Sequence, residues 1–459
     1  MSAKISIDPE RKIIDDFAKE IAIKKQRGVV PENDVIEFRD DRKLKHARPI
    51  YLVPIKLLRF RKDNGRIASD VTSYEKQHGP LDETLESTQE IIKGILIAKD
   101  EENNIKLSKS LELNGQNDPA IITCDGFLIN GNRRKMAIEL LYEKTKDNKY
   151  STMNVVILPG KEEEGGPPTI KEIEQIENRY QLQSDGRSAY TNFDRAISIK
   201  RKIVAGMTLE EQLRDDASNI GLSEKEFNKV KKQYQDEFLG PLDCIDRYLE
   251  RLDRDGLYDS ISEGRSDKDG RWYSFIDYYK VYKQLRDEKR RIELNVEEDE
   301  AGDIEDVAFK IIRQKNFPDH KTHEVIRSLT KILQRGGSAK KELMRIANVP
   351  HELKGTYNDI EKPKDYDVYW ARENGHIIVR NVKEAIKMIE HEKETETTIT
   401  LLQDALKKLQ HDNMEPDTTD PFKLGDAIDL CRKIQDKAAE LENDFDHLRQ
   451  TFKKLGKKK

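Results

Sequence analysis

The chain has 459 residues, and at roughly 150 residues per domain that length argues for about three domains, not one compact core. Apolar residues make up 36%, or about 41% once the 24 glycines are added, below the usual ~45–50%, while charged residues reach 37% against a typical ~25%. The 83 Lys+Arg and 88 Asp+Glu leave a net charge of −5, which excludes a histone-like protein that coats polyanions and leaves room for a local basic face.

In chain order, residues 1–49 mix both charges and carry Gly28, Pro31 and Asn33, so they are expected to form a helical leader and a loop. The start, MSAKISIDPERKIIDDFAKE, is charged where a signal peptide needs an apolar run, and the sequence holds no apolar stretch of membrane length. The expectation is a cytoplasmic chain with no membrane partner. YLVPIKLLRF then reads as a strand running into a turn at Lys62-Asp63-Asn64-Gly65, where Asn-Gly supplies positive φ. A helix is expected over 79–104 with DEENN as a charged loop at its end, and a second helix over 105–114 stops at Gly115. AIITCDGFLI reads as a hairpin turning at Asp125-Gly126, GNRRKMAIELLYEK as a helix, and MNVVILP as a strand before the irregular GKEEEGGPP.

Beyond this α/β region the pattern is helical from Ile170 to about Gln334, with loops at 262–271 and 295–303. Residues 335–375, with Gly336-Gly337, Pro350, Gly355 and Pro363, are expected to form a boundary module. From Ile434 an apolar seam continues through Ala438, Leu441, Phe445, Leu448, Phe452 and Leu455 in alternating steps of four and three, the spacing of a coiled coil. Ile399, Leu402, Leu406 and Leu409 form an earlier stripe, so 376–459 is expected to be a helical hairpin or a self-associating coiled coil. Cys124, Cys244 and Cys431 lack CxxC spacing and cannot build a disulfide framework. The pair His320 and His323 has no companion ligands at zinc spacing and reads as a solvated helix face. The fold class expected is α+β.

The chemistry concentrates in LELNGQNDPAIITCDGFLINGNRRKMAIELL, residues 111–141. A strand ends at Asn130, Gly131 permits close approach of backbone to a ligand, and the next helix offers unpaired N–H groups beside Arg133 and Arg134. That arrangement suits phosphate, and the bland alternative is surface decoration. Downstream, MTLEEQLRDDASNIGLSEKEFNKVKKQYQ carries a helix over Leu209–Ala217, a turn at Asn219-Ile220-Gly221, and a second helix from Ser223 with a capping box to Glu226. As a helix-turn-helix it would present Lys225, Asn228, Lys229 and Lys232 to DNA, and as a plain helical pair its acidic Asp215-Asp216 needs no DNA. Arg265, Arg271 and Trp272 near Tyr273, Phe275 and Tyr278 suit either nucleobase stacking or, with their helical spacing, core packing.

The stretch resembles the ParB/sulfiredoxin superfamily. Asn114-Gly115-Gln116, Pro119-Ala120-Ile121-Ile122 and Gly131-Asn132-Arg133-Arg134 stand where that family has its Gly-Gln turn, its strand and its Gly-Glu-Arg-Arg box. Glu177-Asn178 matches its Glu-Asn box, and VPIKLLRFRKDNGRI resembles its first strand and arginine loop, with Arg61 and Arg66. The resemblance implies a nucleotide-binding domain over 50–180 and a helical region over 181–334 with the helix-turn-helix at 208–235. It also implies that Arg61, Arg66, Gly131, Asn132, Arg133, Arg134 and Asn178 hold a nucleoside triphosphate, CTP or ATP. Mg²⁺ would be bound through the nucleotide with Glu177 in support, and Glu177 is the one residue suited to catalysis of slow hydrolysis. DNA, a second copy of the chain and partition or phage-defence proteins are the partners implied. Asn132 replaces the family's glutamate and cannot act as a base, and the cysteine that sulfiredoxin chemistry needs is absent from the box. The rival readings are a nuclease or NTPase of the same fold and an assembly scaffold that has lost its ligand.

Overall fold

Short strands build one small mixed sheet inside an otherwise helical α+β fold, seen in a computed structural model. The structure describes residues 12–27, 33–182, 191–261, 271–355, 363–410 and 416–456, so Arg265 and the basic tail after Gly456 lie outside the described residues. The strands are β1 (Gln26–Arg27), β2 (Asn33–Asp34), β3 (Arg48–Pro54), β4 (Ala120–Ile122) and β5 (Thr152–Ile157). Their order is β1-β3-β5-β4, with β2 also paired to β3. β3 runs antiparallel to β5, Ile50 opposite Val156 and Val53 opposite Met153, and β4 runs parallel to β5 with Ile121 opposite Val156. A parallel pair needs a crossover, and the helix Asn132–Thr145 supplies it.

Because successive side chains point to opposite faces, Val53, Ala120, Ile122, Met153 and Val155 pack with Ile92, Leu96, Met136 and Leu141 on one side. Ile50, Ile121 and Val156 pack on the other against Phe38 and against Ile173 and Ile176 of the helix Ile170–Leu182. DEENN is not a loop. The first helix here spans Glu86–Lys99, and Glu101 opens the next, Glu101–Asn114, whose Asn104 is buried and donates to the carbonyl of Leu96.

The helical region has its own core, reaching from Phe193 to Ala385. Trp272, Phe275 and Tyr278 on the helix Arg271–Arg286 are among its most buried side chains, with the Tyr248 ring edge-on to Phe275 at 5.5 Å. The aromatic cluster is therefore core, not a stacking platform. Leu343, Ile346 and Trp370 belong to that same core, as do Ile378, Val382 and Ala385 of the helix Pro363–Leu409. The glycines and prolines of 335–375 thus mark turns within a unit that ends at Ile389, and the second unit begins at Glu390, not at 376. In that second unit Ile399, Leu402, Leu406 and Leu409 stay exposed, and so do Ile434, Phe445, Leu448 and Phe452 on the helix Leu424–Gly456, so the two stripes do not cover each other. Leu455 lies outside the described side chains.

Candidate functional site

Gly131 sits at φ 82° as the residue before the helix Asn132–Thr145, and a Cβ added there would stand 2.8 Å from the Ala120 Cβ on β4. Left-handed backbone and close helix–strand approach both require glycine at this position. Asn132 follows in the first turn, 6% exposed, with its Oδ1 lacking a hydrogen-bond partner among the described residues. Arg133 donates from Nε to Asn104 Oδ1 at 2.9 Å and stands 3.8 Å from Asp100. Arg134 donates to the backbone carbonyl of Asp118 at 2.6 Å, its second nitrogen 3.8 Å from the Asp118 carboxylate. DEENN therefore supplies both of these partners of Arg133, Asp100 at the helix cap and Asn104 in the first turn.

Two segments away, the loop after β3 threads past this box. Arg59 exchanges backbone hydrogen bonds with Gly126 and Leu128, and the Lys135 ammonium, on the box helix, lies 3.8 Å over the Phe60 ring. Arg61 turns inward, 5% exposed, and donates to Glu174 Oε1 at 2.9 Å, with Glu177 Oε2 3.7 Å from its other nitrogen. Glu177 Oε1 accepts the Gly65 N–H at 2.8 Å. Lys202, 2% exposed, donates to Asn178 Oδ1 at 3.1 Å, and Asn178 donates to the carbonyl of Gln212. Arg61, Glu177 and Asn178 are thus brought together, joined by Glu174 and Lys202, which the sequence reading passed over. The signal for them is periodic: Glu174 is three residues before Glu177 on one helix face, and Asp194, Ser198 and Lys202 fall on one face of the helix Asn192–Val204. Arg66 is half-buried beside the cluster, its backbone N–H bonded to Asn64 Oδ1.

Burial and the neighbouring Glu177 push the Glu174 carboxyl up to about 7, against the pull of Arg61. Burial lowers the Lys202 ammonium, with Glu177 and Glu174 opposing. Earlier on the same helix face Asp194 pairs with Lys99, which also bridges to Asp70, and Ser69 donates to Asp194 Oδ1 at 2.6 Å. Glu177 has one oxygen on a backbone N–H and the other facing a guanidinium, so here it ties loop to helix. Among the described residues no three His, Cys, Asp or Glu side chains converge as a metal site.

Gly65 departs from expectation in its reason. It does not adopt positive φ. It opens a single 3-10 turn capped by Asn64, and a Cβ would meet Ser198 Oγ at 2.6 Å and Glu177 Oε1 at 3.2 Å. Gly65→Ala is expected to destabilise the protein by about 1–3 kcal/mol in chemical denaturation. Adding Ser198→Ala should recover part of that loss, because the two side chains compete for one space.

In the segment expected as a helix-turn-helix, the first helix spans Leu209–Arg214 and stops short of Ala217, a 3-10 turn covers Ala217–Asn219, and the second helix spans Glu224–Tyr234 with the Ser223–Glu226 capping box in place. Phe227 packs inward with Leu209 and Leu213, while Lys225, Asn228, Lys229 and Lys232 are exposed together. Glu210 on the first helix holds Arg214 and Lys231, so acidic groups flank the basic face. Compared with known proteins, the chain matches no family model, no curated protein and no solved structure. Among the described residues no helix is long and apolar enough to cross a membrane.

Proposed function

We propose that the chain is a nucleoside-triphosphate-binding, DNA-associated protein of the ParB type, in which the nucleotide governs assembly on DNA. The observation that carries this reading is the glycine-capped start of the helix Asn132–Thr145, where Asn132 is buried with its Oδ1 lacking a hydrogen-bond partner among the described residues and Arg133 and Arg134 follow in the first turn. Buried polar groups are almost always paired, so the Asn132 acceptor asks for a polar ligand. Phosphate oxygens would take charge-assisted hydrogen bonds from the arginines at the positive end of that helix, and a sugar hydroxyl or base amino group would satisfy Asn132. Arg66, Arg133, Arg134 and Asn178 would complete the cradle, Mg²⁺ would accompany the phosphates, and the exposed lysines at 225, 229 and 232 would contact the DNA backbone.

One observation favours the scaffold reading instead: Arg133 and Arg134 already bond to Asn104 and Asp118 of their own chain. A thermal-shift titration with CTP, ATP, GTP and UTP plus Mg²⁺ separates the two, because a ligand that binds only the folded state stabilises it by mass action. The expected result is a rise in Tm with one nucleotide that Arg134→Ala abolishes while leaving the unliganded Tm within a degree or two. No rise with any of the four overturns the nucleotide reading. Duplex binding measured across salt then tests the DNA arm: replacing all three lysines with Glu should lower the log–log salt slope by roughly 0.9 per lost contact.

A further inference from the structure

The helix Leu424–Gly456 is the longest element of the second unit, and its apolar seam is longer than the stretch beginning at Ile434. Continued backwards in the same alternation of three and four, it passes through Cys431 and Ala427 to Leu424, so an apolar side chain holds every core position of four heptads as far as Phe452. Among the described residues much of it stays open: Ile434, Phe445, Leu448 and Phe452 are 43, 42, 51 and 69% exposed. A seam that regular is built to be buried against another helix.

The charges beside the seam identify which helix. In heptad terms Leu441 and Leu448 hold d positions and Cys431 and Phe445 hold a positions. The flanking g and e positions then include Lys437 and Asp444 on one side and Glu442 and Arg449 on the other. In a parallel, in-register pair each g residue faces the e residue five places on in the partner. Lys437 then faces Glu442 and Asp444 faces Arg449, opposite charges in both cases and twice over by symmetry, with no like-charge pair among them. Within the single chain Lys437 pairs with Glu440 and Arg449 with Asp446, exposed pairs three residues apart that contribute little.

We propose that this helix forms a parallel, in-register two-stranded coiled coil with the same helix of a second copy of the chain, placing Cys431 opposite Cys431 across the seam. The interaction needs no nucleotide and no DNA.

The test uses the full chain. Light scattering coupled to gel filtration is expected to give twice the 53.4 kDa chain mass, and a short bismaleimide should link the two copies through Cys431, with Cys431→Ser abolishing the link. Lys437→Glu should weaken the dimer at least tenfold by setting Glu against Glu442, and the double exchange Lys437→Glu with Glu442→Lys should restore it. Both positions are exposed, so neither change threatens folding. A monomeric mass across the concentration range overturns the proposal. A dimer that does not link through Cys431 or is not restored by the double exchange overturns the parallel register, and any larger assembly overturns the two-stranded state.

Discussion

Replacing Arg61 with methionine is expected to cost the protein about 3–5 kcal/mol at neutral pH, the usual consequence of removing one partner from a buried ion pair. The guanidinium lies between Glu174 and Glu177, and all three side chains are nearly inaccessible to water. Without it two carboxylates face each other in a desolvated site. The pH dependence follows from Glu174, whose carboxyl burial and Glu177 push up to about 7 from an ordinary 4.5. A group held above its unfolded value stabilises the fold in full below the unfolded value, and the contribution is lost as pH rises through the folded one. Stability attributable to Glu174 should therefore fall by about 3 kcal/mol between pH 4.5 and 7 and stay level above. The measurement is urea denaturation of the native chain and of Glu174→Gln at half-unit steps, comparing the two curves so that other carboxylates cancel. In Arg61→Met the same loss should extend to higher pH, because the charge that restrained Glu174 is gone. Parallel curves for the native chain and Glu174→Gln would show that Glu174 is ionised throughout.

How far the sequence led can be traced through particular residues. Alternation along IYLVP and MNVVI, the glycine before the box helix and the Ser223–Glu226 capping box are local signals, and each element formed close to where it was expected. DEENN was legible as charged but not as helical, because Asp100 and Asn104 owe their place to Arg133, about thirty residues on, and that contact has no local trace. Gly65 looked like a turn glycine because Asn-Gly dipeptides are turns by local chemistry, whereas its Cβ is excluded by Ser198 and Glu177, both over a hundred residues away. Glu174 and Lys202 escaped for a different reason: charged residues are presumed exposed, and their burial depends on meeting each other across three segments. The 335–375 border failed because Trp370 and Asp367, which fasten the following helix to the core, sit just past the prolines that suggested a break.

Asp367→Asn is expected to destabilise the helical region by a further amount of the same order, about 3–5 kcal/mol, for the opposite sign of charge. Asp367, 2% exposed on the helix Pro363–Leu409, accepts from Arg254 at 3.0 Å, from Arg271 at 3.2 Å and from Arg313 at 2.8 Å, three arginines from three parts of the chain. Burial would raise its carboxyl, but Arg271, Arg254 and Arg313 together hold it below the usual aspartate range. Its contribution is thus present at neutral pH and is lost only when pH falls through that depressed value, the reverse of Glu174. Burial lowers Arg313 even with the carboxylate beside it, so an amide at 367 leaves the guanidiniums in a site that disfavours their charge. The Arg313 guanidinium also lies 4.4 Å over the Trp370 ring, and the Trp370 indole donates to the Pro350 carbonyl at 2.8 Å, so the strain reaches a spectroscopic probe. Trp272 and Trp370 are both buried, and release of the helix start should shift tryptophan emission to longer wavelength at denaturant concentrations that leave the native chain intact. Adding Arg313→Met to Asp367→Asn should recover a large part of the loss by removing one uncompensated cation. A loss below about 1 kcal/mol for Asp367→Asn would mean that water or another carboxylate already neutralises the three arginines, and that the helix is held by its apolar face alone.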